Sequence, residues 1–121
     1  RVYKCGLYVL TCVVYKYSLF RLTQCVMCAI YYMYLYCISD GELCKFGYSK
    51  DPHRRLKSLQ TGSSSQLELV HSILVEESCV KLLERTFHKE YSNLRIRGEW
   101  FRCTGSEGVS MLTWFEIHYV N

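Results

Sequence analysis

Two groupings of ionisable side chains in this 121-residue chain have the types and spacing for chemistry. From Lys45 to Lys57 five bases (Lys45, Lys50, Arg54, Arg55, Lys57) face one acid, Asp51. That is a local concentration of positive charge of the kind that contacts phosphate. Further on, Glu84 and His88 stand four residues apart, a spacing that stacks two side chains one above the other on a helix. They can reach one site together, or they can be solvated neighbours on a surface, which spacing alone favours. Two further features weigh less. Cys25-Val-Met-Cys28 has zinc-knuckle spacing, yet it lies in an apolar run without the glycines and polar residues that turn a chain around a metal; reduced, partly buried thiols in a cytosolic setting are the better reading. His71 falls in an alternating apolar row, where a hydrogen-bonded histidine in or near the core is commoner than a catalytic one.

These side chains need elements to position them. Residues 33–39 read as a strand, Asp40-Gly41 as a two-residue turn and residues 42–48 as the returning strand. With that turn Ser39 pairs with Glu42, Ile38 with Leu43, Cys37 with Cys44 and Tyr36 with Lys45, and Gly47 falls opposite Tyr34. Asp51 is an N-cap and Pro52 the first residue of a helix running to about Gln60, with Leu56 and Leu59 facing inward and Arg55 at the edge of that face. Residues 67–75 alternate as a strand with one apolar face. Glu76 to about Tyr91 is the clearest helix, with a stripe at Val80, Leu83, Phe87 and Tyr91. Glu99-Trp100-Phe101 reads as a short strand whose aromatics are core, and residues 106–120 as a closing helix, although Gly108 weakens it.

Composition bounds the rest. The chain is long enough for one domain, half apolar, with one Pro and seven Gly, which excludes collagen and low-complexity disorder. Residues 1–33 carry Arg1, Lys4, Lys16 and Arg21 and no acid, whereas the remainder holds eleven bases and eleven acids. A basic surface over the whole chain is therefore excluded. Residues 22–39 form an uncharged run of 18, at the lower limit for a membrane span, but a span there would consume the strand that the hairpin needs. A signal peptide over residues 1–20 is opposed by Lys16, Arg21 and the lack of a small-residue cleavage site. Residues 1–32 thus stand as an unassigned apolar, basic, Cys-rich segment before a domain at 33–121. The expected fold is α+β, a small three-stranded, mainly antiparallel sheet flanked by helices.

Five separated pieces then occur in order: Tyr34-Leu35-Tyr36; Lys45-Phe46-Gly47-Tyr48-Ser49; Asp51-Pro52-His53-Arg54-Arg55-Leu56; Leu83-Glu84-Arg85 with His88; and Arg97-Gly98-Glu99-Trp100-Phe101. Over residues 33 to about 104 they resemble the GIY-YIG endonuclease superfamily, in particular its small phage, bacterial and fungal branch ending in Gly-Glu-Trp-Phe. Tyr34 stands where the first motif has glycine, and Lys45 where many members have the first tyrosine of the second motif. Leu59 stands where some members have a polar residue or histidine.

The resemblance implies hydrolysis of DNA phosphodiesters in the cytoplasm, or in the nucleus of a eukaryotic or viral host, with Mg²⁺ or Mn²⁺ and no small-molecule cofactor. Tyr36 would be the general base, its pKa lowered by a cross-strand Lys45. Arg55 would fork onto the phosphoryl oxygens, Glu84 would hold the divalent ion, and His88 would orient a phosphate or leaving group. Tyr34, Gly47, Tyr48, Lys50 and Arg54 would contact substrate. The rival expectations are a non-catalytic DNA- or protein-binding module on the same scaffold, and a membrane-associated product dominated by residues 1–39.

Overall fold

The computed structural model of the protein describes residues 32–120. The Cys25–Cys28 pair, the signal-peptide reading and all but the last residue of segment 1–32 lie outside the described residues. Of the uncharged run, Tyr32–Ser39 is a strand. Among the described residues no helix is long and apolar enough to cross a membrane.

The chain order is β1 (Tyr32–Ser39), β2 (Cys44–Ser49), α1 (Pro52–Thr61), β3 (Glu68–Glu76), α2 (Glu77–Glu90), a short 3-10 turn (Ser92–Leu94), β4 (Arg95–Arg97), β5 (Trp100–Phe101) and α3 (Gly105–Phe115), which widens into a last turn over Glu116–Val120. The class is α+β, as expected, but the sheet has five strands in the order β3-β1-β2-β5-β4 rather than three. Its pairings are antiparallel. The additional strands are three and two residues long, too short for a period of two to declare itself.

The hairpin register differs from the expected one by two residues. Ser39 pairs with Cys44, so Tyr36 lies opposite Gly47, and Lys45 opposite Ile38. The loop is longer because Asp40 caps it from within: its carboxylate accepts from the amides of Glu42 and Leu43 at 2.9 and 2.8 Å, and Ser39 Oγ accepts from that of Gly41 at 3.0 Å. These bonds favour an open Asx-type turn over a two-residue one. A shift of two leaves every side chain on its expected face, since strand faces alternate with period two.

Each face carries its own core. On one, Tyr36, Ile38 and Leu67 pack with Leu56 and Leu59 of α1, Leu69 and Trp100. On the other, Leu35, Cys37, Cys44, Phe46, Ile73 and Val75 pack with Val80, Leu83 and Phe87 of α2 and Leu112 and Phe115 of α3. The apolar row of β3 does not keep to one face. A bulge where Ile38 pairs with Leu69 and Cys37 with His71 sends Leu67 and Leu69 to the α1 side and Ile73 and Val75 to the other. His71 is left half-buried. Cys37, Cys44 and Cys103 are buried free thiols, as read; Cys79 departs from that reading and is disulfide-bonded.

Asp51 caps α1 by accepting from the Arg54 amide at 3.1 Å, with Pro52 in the first turn. A reciprocal box of Thr104 and Glu107 starts α3. Gly108, a weakness for a helix in isolation, is what lets α3 close on the sheet. A Cβ there would stand 2.7 Å from Cys37 Sγ and 2.9 Å from Cys44 Sγ.

Gly108→Ala is therefore expected to destabilise the protein despite alanine's higher helix propensity. Overpacking should outweigh that gain by about 1–2 kcal/mol. Urea titration should show a lower midpoint for this variant, whereas the exposed neighbour Ser110→Ala should stay within about 0.5 kcal/mol of the parent.

Candidate active site at the open end of β2

Only Cys44 and Lys45 of β2 pair with β5. The Phe46 amide then donates to the Glu99 carbonyl at 3.0 Å, which holds Glu99 against the next residue, Gly47. Tyr36 reaches the same spot from β1. A Cβ on Gly47 would lie 2.6 Å from Tyr36 Oη and 2.8 Å from Glu99 Oε1, so hydroxyl and carboxylate share the space that glycine leaves empty.

Tyr36 is only 1% exposed, and burial raises its pKa above the usual phenol value. The Arg55 guanidinium of α1 works against this rise, and Glu99 adds to it. The expected activation by Lys45 is thus corrected on two counts. Lys45 is not the cross-strand partner, and its ammonium is engaged with Glu99 Oε1 at 3.2 Å and lies 5.5 Å from the centre of the Trp100 ring. The cation at the Tyr36 hydroxyl is Arg55. With Ser49, Lys50, Asp51, Arg54 and Ser58 it lines a shallow cleft of about 350 Å³. Lys50 also faces Glu77 at 3.9 Å.

On the opposite face, α2 presents Glu84 and His88 to a second cleft of about 470 Å³, shared with Tyr48, Lys81, Arg85, Lys89, Ser92 and Arg95. Glu84 Oε2 is buried with no hydrogen-bond partner. Burial, and then Glu99, push the Glu84 carboxyl up to about 7, against the pull of Lys45 and Arg95. His88 Nε2 lies 3.1 Å from the Phe46 carbonyl, so that nitrogen carries the proton and donates it. Burial lowers its pKa and keeps the ring neutral near pH 7.

The structure thus gathers Tyr36, Lys45, Gly47 and Arg55 on one side of the β2 end, and Glu84, His88 and Tyr48 on the other. Lys50 and Arg54 lie beside Arg55. Tyr34, half-buried between Ser49 and Leu74, lines neither cleft. Trp100 and Phe101 are packed residues, as read. Two functional candidates escaped the sequence. Glu99 touches the electrostatics of Tyr36, Glu84 and His88 alike; the signal was there in Glu99-Trp100-Phe101, had that strand been placed beside Lys45. Arg95 had no such signal. Its Nε donates to the Gly98 carbonyl at 2.6 Å, which fixes it at the cleft.

Among the described residues no group of three or more His, Cys, Asp and Glu side chains is arranged to hold a metal. A hard cation that keeps most of its water needs fewer, and the unpartnered, buried oxygen of Glu84 fits a single-carboxylate site of that kind.

No curated protein and no solved structure matches the chain. The profile of the T5orf172 domain matches residues 30–116, which takes in every strand, α1, α2 and both clefts. The chain belongs to the T5orf172 domain family.

Proposed function

We propose that the protein is a metal-dependent endonuclease of GIY-YIG type that hydrolyses DNA phosphodiester bonds. The observation that carries this reading is Glu84: a carboxylate with a buried, unpartnered oxygen, set at the β2 end that also brings Tyr36, Arg55 and Glu99 together. A surface carboxylate without a ligand would be solvated. The T5orf172 domain supports a nuclease-like or DNA-binding module as the broader class.

In this reading Glu84 holds Mg²⁺ or Mn²⁺, which when bound supplies Lewis acidity towards the phosphoryl oxygens. Arg55 donates its forked N–H groups to non-bridging oxygens, a geometry that a lysine cannot offer. Tyr36 orients the attacking water, and its ionised fraction, favoured by Arg55 and opposed by burial and Glu99, receives the proton of that water. Lys45 holds Glu99 in place. His88, neutral and fixed through Nε2, orients the departing group. Lys50 and Arg54 bind phosphates beside Arg55, Tyr48 contacts substrate in the Glu84 cleft, and Gly47 leaves the space in which the Tyr36 hydroxyl and the Glu99 carboxylate meet.

Supercoiled-plasmid nicking by the full chain tests this. With Mg²⁺ or Mn²⁺ the parent should nick and with EDTA it should not, and Glu84→Ala or Arg55→Ala should each reduce the rate by about 10²-fold or more while keeping the far-UV circular dichroism of the parent. A folded parent that binds DNA with strong salt dependence, yet nicks with neither metal, would identify a non-catalytic binding module instead.

Glu84 also sets a stability profile. Its folded pKa, about 7, lies above the unfolded value of 4.5, so the folded state binds the extra proton between these values. Stability is fully present below about pH 4.5 and declines as pH rises towards 7. Discounted for the half-exposed position of the side chain, the loss is about 1–2 kcal/mol. In EDTA, Glu84→Gln should therefore be more stable than the parent by about that amount at pH 8 and equal to it near pH 4.5. Denaturant midpoints at the two pH values measure the difference.

A further inference from the structure

Lys50, Arg54 and Arg55 account for one side of the β2 end. They leave unexplained a second row of cations on the other. Lys81, Arg85 and Lys89 follow one another at intervals of four along α2, and Arg95 extends the row from β4. All four are exposed, and all four line the same cleft as Glu84. Among the described residues, Lys81, Arg85 and Lys89 enter no ion pair, although Lys45 and Lys50 do. Three bases left unpaired in line are a costly way to solvate a helix, because like charges at that spacing repel.

From Lys81 to Lys89 the ridge covers about 12 Å of helix axis, the length over which one strand of B-form DNA presents about three or four phosphates. Resting on the nuclease reading above, we propose that this ridge is a second phosphate track, which binds a DNA strand on the α2 side and leads it across Glu84 towards Arg54 and Arg55. The helices that carry the two tracks pack on opposite faces of the sheet, and the two clefts are lined by adjacent β2 residues, Tyr48 in one and Ser49 in the other, so one strand passing over the end of β2 would touch both.

The test separates binding from cleavage. Fluorescence anisotropy of a labelled DNA duplex with the full chain in EDTA, over a series of KCl concentrations, gives the affinity and its salt slope. Lys81→Gln/Arg85→Gln/Lys89→Gln should weaken binding by about 10–100-fold near physiological salt and flatten the slope by about 2–3. The single change Lys81→Gln should flatten it by about 1, and Arg102→Gln, an exposed base off the ridge, should change it by less. A triple variant with parental affinity and slope would overturn the proposal. So would a parent that fails to bind DNA, or one for which polyglutamate competes as well as DNA per charge, since the ridge would then suit an acidic polypeptide. Ridge-dependent binding by a protein that never nicks would keep the track and remove the nuclease.

Discussion

The site depends on the missing side chain at Gly47. Antiparallel pairing brings Tyr36 directly opposite this residue, and the Phe46–Glu99 backbone bond brings Glu99 to the same place from the other edge. Neither approach is compatible with a Cβ, which would sit closer to the phenol oxygen and to the carboxylate than van der Waals contact allows. Glycine weakens a strand by loss of entropy and packing, a cost of about 0.5–1 kcal/mol. Here it creates the space in which Tyr36 and Glu99 meet. From there Glu99 acts on Tyr36 on one side and on Glu84 and His88 on the other.

The sheet explains how a small domain can hold such a site. Each face carries its own packed layer, α1 over Tyr36 and Ile38, α2 and α3 over a cluster in which Phe46, Phe87, Phe101 and Phe115 meet at ring-centre distances from 4.4 to 6.0 Å. The rigid aromatic side fixes α2, and α2 fixes Glu84 against its own interest in water. A carboxyl raised to about 7 opposes folding at neutral pH. Such a residue persists where the structure around it is strong enough to impose the arrangement, as is usual for functional groups.

What could be read from the sequence follows from the range of the interactions involved. Local signals were sufficient for α1, whose Asp51 cap and Pro52 lie within four residues of each other, and for α2, whose stripe at Val80, Leu83 and Phe87 is buried. Period-two patterning placed the β1 and β2 side chains on their proper faces even though the turn was misjudged, because the error was an even number of residues. The partner of Tyr36 could not survive that error. Register follows from the loop, and the loop from how Asp40 and Ser39 bond to its amides. The bulge in β3, which splits its apolar row between two cores, depends on packing from three elements and leaves no trace in the alternation. Gly108 read as a defect because its benefit lies across the molecule, at Cys37 and Cys44.

Lys45 shows how an error of register gives a residue the wrong partner. Its place in the motif suggested a cation that lowers the pKa of Tyr36, and position alone cannot separate that from a cation that serves another group. The distances do. At 3.2 Å from Glu99 and over the Trp100 ring, Lys45 is committed, with its side chain 13% exposed. Without it, Arg95 alone would offset the repulsion of Glu84 by Glu99. A carboxylate that repels its neighbour is best held by a fixed cation. Lys45 serves Glu99 as a point charge, whereas Arg55, with its planar fork, stands beside the Tyr36 hydroxyl.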